Sequence, residues 1–129
     1  MSDDKKHEHA IANARNWLES IARWYELTHA SYDEAEKYAE EELSEPLSVQ
    51  VRSGWHSLGE KLEASKYEIL LTTGGPALRV WGELGEHGEA ATAKLQWQDW
   101  FTPWTDYYEG MEDQDAVLLA YAGRFYFGE

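Results

Sequence analysis

YEILLTTGGPALRVWGELGEHGEAATAKLQWQ, residues Tyr67 to Gln98, decides the fold, because apolar side chains recur in it at every second position. Tyr67, Ile69, Leu71 and Thr73 form the first alternating set. Leu78, Val80 and Leu84 then alternate with Arg79, Trp81 and Glu83, and Ala91, Ala93, Leu95 and Trp97 with Thr92, Lys94, Gln96 and Gln98. The links between them, GGP at 74–76 and GEHGE at 85–89, are too short for a helical crossover. They predict tight turns between antiparallel neighbours. Upstream, Leu47, Val49, Val51 and Trp55 alternate with Ser48, Gln50 and Arg52, which predicts one more half-buried strand before the polar connection GEKLEASK. The whole segment 47–109 therefore reads as a four-stranded antiparallel meander.

On the N-terminal side the period changes to that of a helix. Ile11, Ala14, Leu18, Ile21, Tyr25 and Thr28 recur at spacings of three and four, with Trp17 and Trp24 on the flank of the stripe, so a helix is expected over about 7–29. Ser31 followed by Glu34 is a capping box that starts a second helix at Tyr32. Tyr32, Ala35, Tyr38, Ala39 and Leu43 fall on its apolar side, and Asp33, Glu34, Glu36, Glu40 and Glu41 on the other. Glu42 projects toward the apolar side, so either the helix frays ahead of Pro46 or Glu42 faces a partner. Past the sheet, Leu118, Tyr121, Ala122 and Phe125 mark a helix over 113–127, with Asp113 or Asp115 as its cap. The expected fold is α+β in one domain, 1–129. Its parts are a flexible end at 1–9, a helical hairpin at 10–45, the sheet at 47–109 and the C-terminal helix.

A chain of 129 residues supports one core. The lack of Cys excludes disulfides, thiolate metal sites and cysteine nucleophiles. No run of about 18 apolar residues and no signal-peptide core is seen, so a protein of the bacterial cytoplasm, without a membrane partner, is expected.

The net charge is −14, and its distribution matters more than its sum. Residues 31–46 hold seven carboxylates against Lys37 alone, a net of −6. Leu95 to Gly123 holds six and no basic residue, another −6. Such charge repels nucleic acid and anionic membranes and attracts basic proteins. It also keeps a small protein soluble.

The chain offers little for catalysis. His7 and His9 are two apart, a spacing that puts their imidazoles on different sides of a helix and away from a shared metal. Asp99 and Asp106 lie among aromatic rings, but a spacing of seven across Pro103 does not define a carboxylate pair. Asp99 is better suited to bonding the Thr102–Pro103 turn. TTGGPALR, 72–79, has neither the spacing nor the Lys of a phosphate loop, and G-x-S-x-G is absent. No catalytic residue, metal site or cofactor is expected, and the chain does not read as an enzyme.

LQWQDWFTPWTDYYEG, 95–110, divides at about Asp99 into a last strand with Trp97 in the core and an aromatic crossing. Trp81, Trp100, Trp104, Asp106, Tyr107, Tyr108 and Glu109, with Asp33, Glu34, Glu36, Glu40 and Glu41, are the candidate partner-binding residues. Arg52, Glu68, Arg79, Glu83 and Lys94 point away from the apolar set, together with Leu70, Trp81 and Trp100. Either the hairpin covers part of that face, or it is a platform for a partner. Trp17 and Trp24 widen the apolar face of the first helix and leave room for a homodimer.

YEILLTTGGPALRVWGELGEHGE, with QDWFTPWTDYY after it, resembles small proteins of unknown function from phages, prophages and plasmids, over roughly residues 47–129. The resemblance implies an inhibitor of host defence, of the anti-CRISPR or anti-restriction type, and it transfers no functional residue. The expected function is thus a non-catalytic acidic protein that blocks a basic nucleic-acid-binding surface. The alternatives are an immunity or antitoxin protein for a cognate toxin, and a small-ligand binder or enzyme.

Overall fold

The computed structural model describes residues 7–73, 76–99, 102–125 and 127. Helix α1 (Glu8–Ala30) opens the chain and helix α2 (Tyr32–Glu41) follows after one residue. Ser31 is extended and its hydroxyl accepts from Glu34 N at 3.3 Å, one half of the predicted capping box, while Ser31 N donates to Leu27 O at 2.8 Å rather than to the Glu34 carboxylate. Glu42 is the exposed C-cap of α2, so the fraying alternative holds. His7 packs its ring 5.0 Å from that of Trp97 and meets Asp99 at 3.2 Å. The expected flexible end therefore does not extend to His7.

Strands β1 (Ser48–Ser53), β2 (Ala64–Thr72), β3 (Ala77–Glu83), β4 (Lys94–Gln98) and β5 (Thr105–Asp106) follow, then helix α3 (Gln114–Ala122). The sheet is an antiparallel meander in the order β1-β2-β3-β4-β5. It has five strands rather than four, because the aromatic crossing returns to pair Asp106 with Gln96 and Thr105 with Trp97. Gly74 and Gly75 of the predicted turn lie outside the described residues.

All three helices pack together on one face. Ile69, Leu78, Val80 and Leu95 point to that side and are buried against Leu18, Ile21, Val117 and Leu118. Trp24 is buried there as well and Trp17 packs against the same core, so the wide stripe of α1 serves the interior. Gly82 sits where Thr92 passes so close that a Cβ would lie 2.0 Å from its carbonyl oxygen. Only a residue without a side chain fits there. Gln114, itself buried, ties α3 to the end of β5: it accepts from Glu109 N at 2.8 Å and donates to Tyr107 O at 2.6 Å.

Two sequence expectations need correction here. The strand at 47–55 is not half-buried: Val49 and Val51 share the face of Ile69 and Tyr67, yet they are 38% and 47% exposed. Helix α1 sits over β3 and β4 and α3 over β4, and neither packs closely on β1. The C-terminal helix is shorter than 113–127, because Arg124 N and Phe125 N bond three residues back to Tyr121 O and Ala122 O, a tighter turn that ends it. Asp113 is its N-cap residue by position but makes no capping bond.

Candidate functional site

Helix α2 carries the first candidate surface. Ala35 and Ala39 bury one side of it against the core, and Asp33, Glu34, Glu36, Glu40 and Glu41 are all exposed on the other. Tyr32, placed by pattern on the inner side, is 70% exposed at the first turn. Five carboxylates against Lys37 leave the helix at −4 over about 15 Å of axis. That is one net charge per about 4 Å, close to the 3.4 Å per charge along one DNA strand. Among the described residues, none of these carboxylates enters an ion pair. Asp33 and Glu34 suit the positive end of the helix dipole; Glu40 and Glu41 stand at its negative end, where no basic residue occurs.

The second candidate surface is the sheet face turned away from the helices. Strand register places Glu68 beside Trp81, Leu70 beside Arg79, Arg79 beside Gln96 and Gln96 beside Asp106. Arg79 donates through Nη1 to Glu68 at 2.7 Å and through Nε and Nη2 to Gln96 Oε1 at 2.9 and 2.7 Å. Gln96 passes the interaction on, its Nε2 donating to Asp106 at 2.7 Å. The guanidinium stacks 4.3 Å from the Trp104 ring and 5.3 Å from that of Trp81. Lys94 completes the row by donating to the Tyr108 hydroxyl at 2.8 Å. Among the described residues no helix lies over this side, so the alternative in which the hairpin covers it is set aside.

The crossing from Thr102 to Glu109 links this face to the rim. Asp99 and Thr102 form a turn in which the Thr102 hydroxyl accepts from Asp99 N at 3.0 Å and donates to Asp99 O at 2.9 Å. These two bonds run through the Asp99 backbone and the Thr102 side chain, while the Asp99 carboxylate meets His7. A cleft of about 640 Å³ between the start of α1 and β5 is bordered by Arg15, Trp97, Asp106 and residues 107–109. Tyr107 is buried: its backbone N donates to Leu95 O, its ring lies on the helical side, and it is 7% exposed. Its hydroxyl bonds Glu109, and burial first, then that carboxylate, pushes the phenol above its ordinary pKa.

The predicted residues thus fall into two groups on opposite sides of the sheet. Asp33, Glu34, Glu36, Glu40 and Glu41 belong to the helical side. Trp81, Trp104, Asp106 and the 56%-exposed Tyr108 belong to the open face. Glu109 stands at the rim with Arg15, and Trp100 lies outside the described residues. The stretch from Leu95 to Gly123, free of cations in sequence, is met by cations in space. Arg15 lies 3.5 Å from Glu109, Lys94 lies 4.0 Å from Asp115, and Arg79 reaches Asp106 through Gln96. Arg79 and Gln96 were absent from the predicted site. Their shared strand parity with Glu68 and Asp106 was the available signal, but it acquires meaning only once the register is known.

Fold and surface together define a small α+β protein with an acidic helix on one side of its sheet and a cation–aromatic face on the other. No protein-family model matches the chain, and no curated protein or solved structure matches it. Among the described residues no helix is long and apolar enough to cross a membrane, and no three His, Asp or Glu side chains gather as a metal ion would need.

Proposed function

We propose that this protein is a non-catalytic inhibitor that lays the acidic side of α2 on a basic, nucleic-acid-binding surface of another protein, such as a CRISPR effector or restriction enzyme. One observation carries the proposal: Glu40 and Glu41 stand at the helix end where a carboxylate costs stability, with no basic residue in that last turn and, among the described residues, no ion pair to Lys37 or any other cation. The fold gains little from them, with Lys37 alone of the helix's residues a neighbouring cation, whereas a basic partner would gain more. Their charge spacing matches that of a nucleic-acid strand, so α2 can occupy a groove shaped for phosphates.

The test is binding to purified CRISPR effectors and restriction enzymes at rising salt. Affinity for the partner falls on the order of tenfold or more as the Debye length shrinks from about 10 Å to about 3 Å. An affinity indifferent to salt counts against phosphate mimicry. Joint reversal of Glu36, Glu40 and Glu41 to Lys weakens binding far more than the same change at Glu60 and Glu63. Equal effects remove the case for a defined acidic face. Recovery of a basic toxin from a host pull-down would instead support the immunity-protein reading of the same surface.

A further inference from the structure

The open sheet face has a feature that the acidic helix does not account for. Four of the 11 basic residues, Arg52, Lys66, Arg79 and Lys94, share it with three acids, Glu68, Glu83 and Asp106. Counted over its described strand residues, the face is therefore at +1 in a molecule at −14. Arg52 and Lys66 stand directly opposite each other in the β1–β2 ladder, a like-charge arrangement that destabilises a strand pair. Among the described residues neither forms an ion pair, although the chain holds 25 carboxylates. Protection of an exposed edge explains Arg52; Lys66, on the inner strand β2, stands opposite Glu83 in the β2–β3 ladder without forming an ion pair to it.

The two cations border a groove of about 330 Å³ across β1, β2 and β3, lined also by Gln50, Glu68, Arg79 and Trp81. Glu68 is engaged by Arg79, so the groove keeps an excess of positive charge. Arg79 spends three of its five N–H donors on Glu68 and Gln96 and is fixed against Trp104, which leaves it rigid with donors to spare. Lys66 lies 5.5 Å from the Trp81 ring.

We infer that this groove binds a small oxyanion-bearing molecule, its phosphate or carboxylate set between Arg52 and Lys66. Size and charge favour a small ligand over a polymer. The groove is at the lower end of small-molecule sites, about 300–1,000 Å³. A net −14 repels a polyanion at a distance, while a single oxyanion responds mainly to the nearest cations.

The experiment titrates the full-length protein with inorganic phosphate, pyrophosphate, citrate and AMP, read by amide shifts in NMR. Saturable shifts centred on residues 50–52, 66–68 and 79–81 are expected with at least one probe. Whether phosphate or citrate binds more tightly distinguishes the two sources of oxyanion. The Arg52→Gln/Lys66→Gln double variant weakens binding at least tenfold, while Lys61→Gln, on the neighbouring loop, changes it less than twofold. No saturable shift with any probe, or equal loss in Lys61→Gln, overturns the inference. Tighter binding of a single-stranded oligonucleotide than of AMP overturns its small-ligand form. The outcome is independent of the α2 proposal, because neither cation lies on that side of the sheet.

Discussion

The guanidinium of Arg79 lies 4.3 Å from the centre of the Trp104 ring while Glu68 and Gln96 hold its edges. One side chain thereby fastens β2, β3, β4 and the crossing that leads to β5. Replacing it with Lys keeps the charge and loses the planar fork that bonds two partners while stacking on a third. Arg79→Lys should cost about 1–2 kcal/mol, a figure held down by the partial exposure of the Arg79–Glu68 pair. Urea denaturation measures it, and a loss under about 0.5 kcal/mol would show the clamp to be ornamental.

Two buried tyrosines should respond in opposite directions to loss of the hydroxyl. Tyr67 donates to Thr92 O at 2.6 Å, whereas the Tyr121 hydroxyl, equally enclosed, has no partner among the described residues. Tyr67→Phe removes a made bond and should lower stability by about 1 kcal/mol. Tyr121→Phe removes an unsatisfied group and should raise it by a similar amount. Calorimetry on the two variants decides, and a loss in both would mean that the Tyr121 hydroxyl has a use the fold does not reveal.

The same residues set the alkaline limit. Burial raises the Tyr121 phenol from 10.0 to about 12, with Arg124 opposing the shift, and burial raises Tyr67 further still. The folded state therefore holds these protons more tightly than the unfolded chain does. Their contribution is fully present below pH 10, the unfolded value, and is lost as pH rises through the folded ones. Thermal stability should be insensitive to these groups near neutrality and decline from about pH 10 upward. Tyr121→Phe should make that decline shallower; an unchanged slope would exclude Tyr121 from it.

Much of this fold could be read from residue order, and its errors have specific causes. The period of two across Tyr67–Gln98 and the Ser31–Glu34 cap each depend on neighbours within a few residues, and both were legible. Alternation also told which side Val49 and Val51 face. Whether a helix reaches far enough to cover them depends on where α1 and α3 settle, which no local pattern encodes. The site was legible as residue types but not as an arrangement. Glu68, Arg79, Gln96 and Asp106 are scattered over 39 positions and become one network only through strand register. The cations facing the acidic C-terminal stretch were hidden in the same way.

The exposed apolar residues of the β1–β2 connection make a plain check on the packing. Trp55 and Leu58 are fully solvent-accessible, each at 104%, so neither adds to the core despite its size. Trp55→Ser and Leu58→Ser should each change stability by less than about 0.5 kcal/mol. Leu18→Ala, at 1% exposure in α1, should cost about 2–5 kcal/mol. A large effect at Trp55 would mean that in solution this connection folds back on the protein or pairs with another molecule.

Glu40 allows fold and function to be separated, because one substitution there should move them in opposite directions. It is exposed in the last turn of α2, at the negative end of the helix dipole, and Glu36 lies four residues before it. Glu40→Lys replaces an unfavourable charge at that end with a favourable one, worth about 0.3–1 kcal/mol. It also turns a like-charge pair with Glu36 into an attractive one in the better orientation, adding a few tenths of a kcal/mol. The variant should therefore melt at a higher temperature while binding a basic partner less tightly. Lys37 lies three residues before Glu40 and four before Glu41, so either substitution meets one like charge, and Glu40→Lys is the better choice because it also gains the attraction of Glu36. If Glu40→Lys stabilises the fold and leaves partner affinity unchanged, the acidic side of α2 lies outside the interface and the open sheet face becomes the surface to map.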